Sequence, residues 1–440
     1  MLTRVFAPTE LVMNALPPMT AFLARLLRKT YIHITFVGKC CENGLFFDGQ
    51  IYCYKFWRYL GIQKHYWTSV FESSTFGKMA KRVAVGLSGG VDSALSAYLL
   101  QKQGYDVVGL TMATWDGSVN MPAVEGREGC YGPSEDKNIE EAKLVADRLG
   151  IPHYVVPVAA EYKTKVLDYF RSEYRAGRTP NPCVRCNQSI KFGALHLAAR
   201  KMGVEFDYFA TGHYARLDFK NENEPFLYRA LDTGKDQTYF LSRLSAEQLS
   251  TVLFPLGGMH KQDVKALAAE IGWEDFATKR ESQDFIECGD YSVLFEESDQ
   301  VPGDFVDVSG KVLGKHKGIV NYTVGQRKGL NIGGQKEPLF GVAIDAAKNQ
   351  VILGPRSALS CIQVSAIDLN LMVSENSPLL AGPLDAHIRL GHKGSPAKIL
   401  DLETGRIRVE FETPQFAAAP GQVLVLYSGD GVVASAIIDK

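Results

Sequence analysis

An apolar strand that runs straight into a glycine-rich loop and then a helix constrains this chain more than any other segment. Arg82-Val83-Ala84-Val85 leads into Gly86-Leu87-Ser88-Gly89-Gly90-Val91-Asp92-Ser93, and a helix is predicted over 92–103. Glycines let the backbone approach an anion closely, Ser88 and Ser93 supply hydroxyl donors, and the first helical turn adds free N–H groups and the positive end of its dipole. Such a loop holds phosphate. It is not a Gly-x4-Gly-Lys-Ser/Thr loop, because no lysine follows, nor a Gly-x-Gly-x-x-Gly dinucleotide loop.

The pattern around it alternates. Strands are predicted at 82–87, 106–113, 153–158 and 207–211, with helices at 92–103, 138–149, 161–175 and 188–202 between them. Strands separated by helices of this length build βαβ units and a parallel sheet. In the stretch 138–149, Ile139, Ala142, Val145, Ala146 and Leu149 line one helical face, and Gly150 stops the helix. An amphipathic helix from Lys261 to Ile271 precedes an irregular polar stretch, 279–290. After about 291 the texture changes to short β-type runs broken by glycine and asparagine, at 305–308, 319–324, 340–345, 350–353, 386–390, 397–400, 406–411, 422–427 and 432–438. These predict two small antiparallel β domains. The expected organisation is an α/β domain at 79–290, a small central β domain at 291–362 and a β barrel at 363–440.

Residues 1–78 lack a clean period, and they read as an extension ahead of a start at Met79. The rival reading is a transit peptide, suggested by the early cations Arg4, Arg25, Arg28 and Lys29 and opposed by Glu10, Glu42 and Asp48. Between Glu10 and Arg25 lie only 14 uncharged residues, Asn14, Pro17 and Pro18 among them, short of the roughly 20 that span a bilayer. No membrane partner is expected. The charges balance, 48 Lys and Arg against 49 Asp and Glu, so a polyanion would have to bind a local patch. Eight cysteines in 440 residues are too sparse for a secreted disulfide framework, which favours a cytoplasmic setting, or an organellar one if 1–78 is a transit peptide.

Two further motifs carry chemistry. Arg178-Thr179-Pro180-Asn181-Pro182-Cys183-Val184-Arg185-Cys186-Asn187 precedes a helix predicted from about Gln188, which would set Cys186 beside a helix N-terminus and favour its thiolate. A structural zinc site needs four ligands, and no second Cys-x-x-Cys pair exists. Phe209-Ala210-Thr211-Gly212-His213-Tyr214-Ala215-Arg216 lies at a strand end of the same sheet, where ligands of open α/β folds bind. Cys130 reads as structural, and Cys361 lies in the β region without a partner motif.

Taken together with Lys235-Asp236-Gln237-Thr238-Tyr239-Phe240-Leu241, Glu281-Ser282-Gln283-Asp284, the run 322–330 and Pro420-Gly421-Gln422, these blocks resemble the tRNA-specific 2-thiouridylases over 81–440. These are PP-loop enzymes that replace O2 of the wobble uridine with sulfur. The resemblance implies an α/β fold of the PP-loop (adenine nucleotide alpha hydrolase-like) type followed by two small β domains, the last a barrel. It implies ATP and Mg2+ as cofactors, with ATP held by Gly86, Leu87, Ser88, Gly89, Gly90, Val91, Asp92 and Ser93 and by Met112 and Gly212. Uridine is adenylated at O2, pyrophosphate leaves, and sulfur attacks C2. The family's nucleophilic cysteine corresponds to Cys186. Asn181, Pro182 and Cys183 would lie against the flipped base, with His213 nearby. Lys235, Asp236, Gln237 and Gln422 fall where the family touches tRNA, and Arg389 would contact its backbone. The implied partners are tRNA and a sulfur donor, either a relay protein, a cysteine desulfurase or sulfide.

Two departures leave the sulfur chemistry open. Cys183 stands where the family's common form has Asp, and the family's persulfide position, four residues after Ser282, is Ile286, with Cys288 two residues on. In one reading Cys288 carries the persulfide and Cys186 receives or resolves it. In the other, Cys183, Cys186 and Cys288 ligate a [4Fe–4S] cluster whose fourth iron holds sulfide. Val432–Ala436 replaces a glycine-rich run, and Leu390-Gly391 replaces a more polar pair after Arg389. The rival functions are another PP-loop adenylating enzyme acting on a small molecule and a non-catalytic tRNA-binding paralogue.

Overall fold

The computed structural model describes residues 80–124, 127, 129–219, 224–278, 284–334 and 337–439. The extension at 1–78, the start at Met79 and the Glu281-Ser282-Gln283 block lie outside the described residues.

The first domain carries β1 (Arg82–Gly86), β2 (Asp106–Ala113), β3 (Gly129–Tyr131), β4 (His153–Pro157), β5 (Tyr208–Ala210), β6 (Ala215–Phe219), β7 (Pro225–Arg229), β8 (Val252–Leu253) and β9 (Asp284–Ile286). Five of these form an all-parallel sheet in the order β4-β2-β1-β5-β8. Val83, Ala84 and Val85 are wholly buried, as expected for a strand covered by helices on both faces. The helix Glu135–Leu149 buries Ala142, Val145, Ala146 and Leu149, and Gly150 ends it at φ +64°, a left-handed conformation that suits glycine. Burying side chains the size of Val145 and Leu149 contributes about 1.5–3 kcal/mol each.

Two of the expected helices differ in detail. The predicted helix 161–175 begins at Ala159 and contains a π-helical segment, Lys163–Leu167, between Ala159–Tyr162 and Asp168–Arg175. The predicted helix 188–202 begins six residues earlier, at Pro182. Asn181 caps it by accepting from the Val184 N–H at 3.0 Å, and Pro182 fits the first turn because a proline N–H would be unused there. A second π-helical segment, Asn187–Ala194, follows Cys186.

The small β10–β13 domain comprises β10 (Gly303–Asp307), β11 (Val312–His316), β12 (Phe340–Asp345) and β13 (Gln350–Gly354), in the order β11-β10-β13-β12. It is not purely antiparallel, because β10 and β13 pair in parallel. The expected strand at 319–324 is instead a 3-10 turn, Ile319–Asn321. Gly318 enters it at φ +120°, and the Asn321 side-chain amide donates back to the Gly318 carbonyl at 3.1 Å.

The terminal domain holds β14 (Ser360–Leu371), β15 (Leu384–His387), β16 (Ser395–Glu403), β17 (Arg406–Phe416), β18 (Val423–Ser428) and β19 (Gly431–Ile438). The pairing β14-β17-β16-β15-β18-β19 closes on itself through β14–β19 into a six-stranded barrel. The β6–β7 hairpin of the first domain joins this sheet where Gly431 meets Tyr228. One apolar cluster runs from the sheet through Tyr239 and Leu241 to Val423, Val425 and Tyr427 of the barrel.

Candidate nucleotide and thiol site

At the carboxyl end of β1 the loop closes on itself. The Ser88 N–H donates to Ser93 Oγ at 3.2 Å, the two hydroxyls lie 3.3 Å apart, and Gly89 takes φ +72°. A Cβ on Gly89 would lie 2.7 Å from the Glu141 Cβ, so the position is tight as well as left-handed. Gly90 precedes the helix Val91–Lys102 in an extended conformation, and among the described residues no side chain caps that helix. Its first-turn amides and the serine hydroxyls thus fit a phosphate group.

The carboxylate of Asp92 points elsewhere. Both of its oxygens lie 2.7 Å from Lys261 Nζ, and the Tyr214 hydroxyl donates to Oδ1 at 2.8 Å. Lys261, at the start of the helix Lys261–Glu270, is 7% exposed, which makes the pair a buried tether on the loop. Met112, half-buried, stands near the carboxyl end of the neighbouring β2.

Gly212 ties the loop to the rest of the site. A Cβ there would lie 2.7 Å from the Asp92 carbonyl carbon and 2.8 Å from the Ser93 nitrogen, so only glycine lets the segment after β5 reach this helix. The next residue, His213, lies beside the segment Asn187–Ala194 that follows Cys186. Its Nδ1 is 2.8 Å from Thr211 Oγ1, its ring lies 6.0 Å from that of Phe192, and burial followed by the charge of Lys191 pushes its pKa well below the usual histidine value. The imidazole is neutral at physiological pH.

Cys183 occupies the first turn of the helix Pro182–Cys186, and Cys186 ends that helix. The expectation that Cys186 sits at a helix N-terminus as a thiolate is corrected: because the helix starts at Pro182, the thiol lies past its first turn. Burial pushes its pKa up to about 11 against the opposing pull of Lys191. Burial also raises Cys183, followed by Cys130 and Cys186. Cys130, read from sequence as structural, is exposed and lies close enough for its charge to act on both.

Cys288 is placed differently. It is buried, its Sγ turns to the Asp290 carbonyl at 3.5 Å, and its own carbonyl accepts from Arg127 at 3.2 Å. Ile286, which the resemblance aligns with a persulfide cysteine, is fully buried opposite Tyr131 in the β3–β9 pair. Among the described residues no three His, Cys, Asp or Glu side chains gather to hold a metal ion. As folded, the donor set Cys183, Cys186 and Cys288 does not fit an iron–sulfur cluster.

The other candidate residues divide by what their side chains do. Asp236 accepts from the Ala230 N–H and the Thr238 hydroxyl, and Gln237 accepts from the Tyr214 N–H at 2.9 Å, so both brace the loop beside His213. Lys235 sits next to them, half-buried. Gln422 donates to the Thr179 carbonyl at 2.8 Å and borders the lead-in to Cys183. Arg389 lies apart in the barrel, where Nη1 donates to the Phe416 carbonyl.

Sequence matching agrees with this layout. Residues 81–288 match the family described as tRNA methyl transferase HUP domain, 292–355 the tRNA methyl transferase PRC-barrel domain and 362–438 the aminomethyltransferase beta-barrel domain. The chain is 46% identical to the tRNA-specific 2-thiouridylase MnmA of Endomicrobium trichonymphae over 359 residues, covering 81% of this chain and 98% of that one. It is 42% identical to the enzyme of the same name from Acetivibrio thermocellus over 367 residues, covering 81% and 99%. The chain belongs to the tRNA-specific 2-thiouridylase family.

Within this thiouridylase fold, several residues around the site had no role in the sequence reading. Lys261 clamps Asp92 from 169 positions away. Lys191 places its charge on Cys183, Cys186 and His213. Lys261 was legible only as the first residue of an amphipathic helix, and Lys191 only as a position within the helix predicted after the thiol motif.

Proposed function

We propose that this chain carries out ATP-dependent 2-thiolation of the wobble uridine of tRNA, with the nucleotide on the 86–93 loop and the sulfur step at the Cys183–Cys186 helix. One observation carries the reading. The segment Thr211–His213 touches the phosphate loop through Gly212 and, through the His213–Phe192 ring contact, the segment Asn187–Ala194 that continues directly from Cys186, so the two chemistries share one edge of one sheet. Family membership supports it, because the relatives are named for tRNA 2-thiolation.

In the proposed sequence, Ser88, Ser93 and the first-turn amides of the helix Val91–Lys102 hold the phosphates, while Met112 and Gly212 border the nucleotide. Mg2+ on those phosphates would offset their charge. Asn181, Pro182 and Cys183 receive the flipped uridine, whose O2 takes the adenylyl group as pyrophosphate leaves. Adenylation turns a poor leaving oxygen into AMP. Neutral His213 offers a hydrogen bond without a competing charge. A persulfide on Cys186 then attacks C2, AMP departs, and a second thiolate breaks the S–S bond to leave a disulfide that an external dithiol reduces. Cys183 is the nearest resolving thiol in sequence, and Cys288 requires a shift of the segment after β9. Lys235 and Arg389 are proposed tRNA contacts, whereas Asp236, Gln237 and Gln422 order the surfaces that tRNA meets.

The test combines ATP, Mg2+, tRNA and a sulfur donor with the full chain, and reads pyrophosphate and 2-thiouridine. Cys186→Ala should abolish 2-thiouridine while ATP still binds. Thiolation retained in that variant removes Cys186 from the sulfur step. Anaerobic purification followed by iron and sulfide analysis decides the route: iron-free protein that thiolates supports the persulfide, and about four irons per chain, lost in Cys183→Ala, Cys186→Ala and Cys288→Ala, replaces it with a cluster.

A further inference from the structure

Tyr162 ends the first piece of a helix interrupted by a π-helical segment, a feature frequent at functional sites. It is 1% exposed and stacks on Tyr131, with ring centroids 5.3 Å apart and planes 13° off parallel. Its hydroxyl is buried and has no hydrogen-bond partner among the described residues. Leaving such a group unpaired costs about 1–3 kcal/mol, and a phenylalanine would fill the same volume without that cost.

Three cysteines lie within electrostatic reach of the hydroxyl. After burial itself, the influences on it are, in order, Cys186, Cys130 and Cys183. They come from two segments distant in sequence: Cys130 precedes Tyr131 on β3, and Cys183 and Cys186 lie on the helix packed against Lys163–Leu167, the turn that follows Tyr162. Burial keeps the phenol protonated, so it can donate to an anion. None of these three sulfurs is in position to accept. A second sulfur bonded to one of them reaches about 2 Å further and carries the negative charge that a thiol lacks.

We propose that Tyr162 and Cys130 complete a binding site for a sulfur anion against Cys183 and Cys186, in which the Tyr162 hydroxyl donates its hydrogen bond to the terminal sulfur of a persulfide or to free hydrosulfide. The inference rests on the thiolation reading and deepens it by naming what holds the transferable sulfur. It accounts for the orphaned hydroxyl and for a third cysteine beside the Cys-x-x-Cys pair.

The experiment compares the full-length wild type with Tyr162→Phe and Cys130→Ala. In one arm a cysteine desulfurase hands its persulfide sulfur to the chain, and cyanide-labile sulfur is counted over time. In the other, sulfide is the only donor, and the KM for sulfide in 2-thiouridine formation is measured. Tyr162→Phe should hold its labile sulfur at least tenfold more briefly, or raise the KM for sulfide at least tenfold, while tRNA-dependent pyrophosphate release stays within twofold of wild type. The arm that responds identifies persulfide or hydrosulfide as the occupant. The thermal midpoint should stay level or rise, because an unpaired hydroxyl has been removed. Unchanged values in both arms for Tyr162→Phe overturn the site, and unchanged values for Cys130→Ala alone remove that cysteine from it. Sulfur loading needs no tRNA, so a wild type that retains sulfur in a Tyr162-dependent way but releases no pyrophosphate with tRNA would overturn the thiolation reading and leave the site standing.

Discussion

The side-chain amide of Gln422 donates to the carbonyl oxygen of Thr179 at 2.8 Å, across 243 positions of sequence, and so joins the terminal barrel to the segment that leads into Cys183. The join is reinforced on both sides. The Thr179 N–H donates to the Pro420 carbonyl at 2.7 Å, and Arg178 reaches Asp439 and the Ile438 carbonyl. Gly421, at φ +90°, lets the two backbones touch, since a Cβ there would lie 2.8 Å from the Thr179 nitrogen. The barrel is therefore part of what positions the thiol helix.

Gln422→Ala should lower stability by about 1 kcal/mol, the worth of one hydrogen bond. Thiolation should fall several-fold with the ATP dissociation constant unchanged, because the phosphate loop is not touched. Equilibrium unfolding, nucleotide binding and a 2-thiouridine assay check the three parts. A parallel loss of ATP affinity would show that the barrel acts on the whole domain.

Lys261→Met leaves the Asp92 carboxylate, about a quarter exposed, with Tyr214 but without its cation. The cost lies between that of a buried and a surface pair, about 1–3 kcal/mol. ATP should bind more weakly, since the helix that carries the loop loses its tether. Lys261→Met with Asp92→Asn should recover part of the stability, because a neutral amide does not need the ammonium. Urea unfolding of both variants measures the difference.

Gly212→Ala is expected to act on the nucleotide step without removing any functional group. The added methyl would meet backbone atoms of Asp92 and Ser93, which cannot turn aside as a side chain would. Displacing the loop by a fraction of an ångström to 1 Å should cost roughly a hundredfold in tRNA-dependent pyrophosphate release. Normal release would show that the loop tolerates the shift.

Alkylation of Cys186 should be slow at neutral pH and rise about tenfold per pH unit until the thiol ionises near 11. Lys191→Met removes the charge that pulls this value down, so the curve should move to higher pH. Iodoacetamide kinetics followed by mass spectrometry of the peptide reads both. A plateau below pH 8 in the wild type would contradict the buried, neutral thiol.

Much of the nucleotide half was legible from sequence, because it is local. The strand β1, the glycine loop and the helix after it occupy about twenty consecutive residues. Their apolar runs, glycines and hydroxyls state the fold and its anion together. The helix Glu135–Leu149 showed its buried face through a 3.6-residue spacing. Within the thiol motif the helix start was not legible: the sequence puts it near Gln188, while Pro182 opens the helix once Asn181 caps it.

Sequence alone determined the parallel sheet, the phosphate loop, the Cys-x-x-Cys motif and the β character of the last third, since each follows from residue type and short-range spacing. Only the tertiary structure decided which side chains those elements meet. It gave Asp92 to Lys261, bent Asp236 and Gln237 inward, set Gln422 on Thr179, turned Cys288 toward Asp290, and brought Tyr162 and Cys130 to the thiols. The physical reason is that periodicity records which face of an element is buried but not its partner. Contacts made across tens to hundreds of residues depend on how sheet, helices and barrel pack, and no local pattern encodes them.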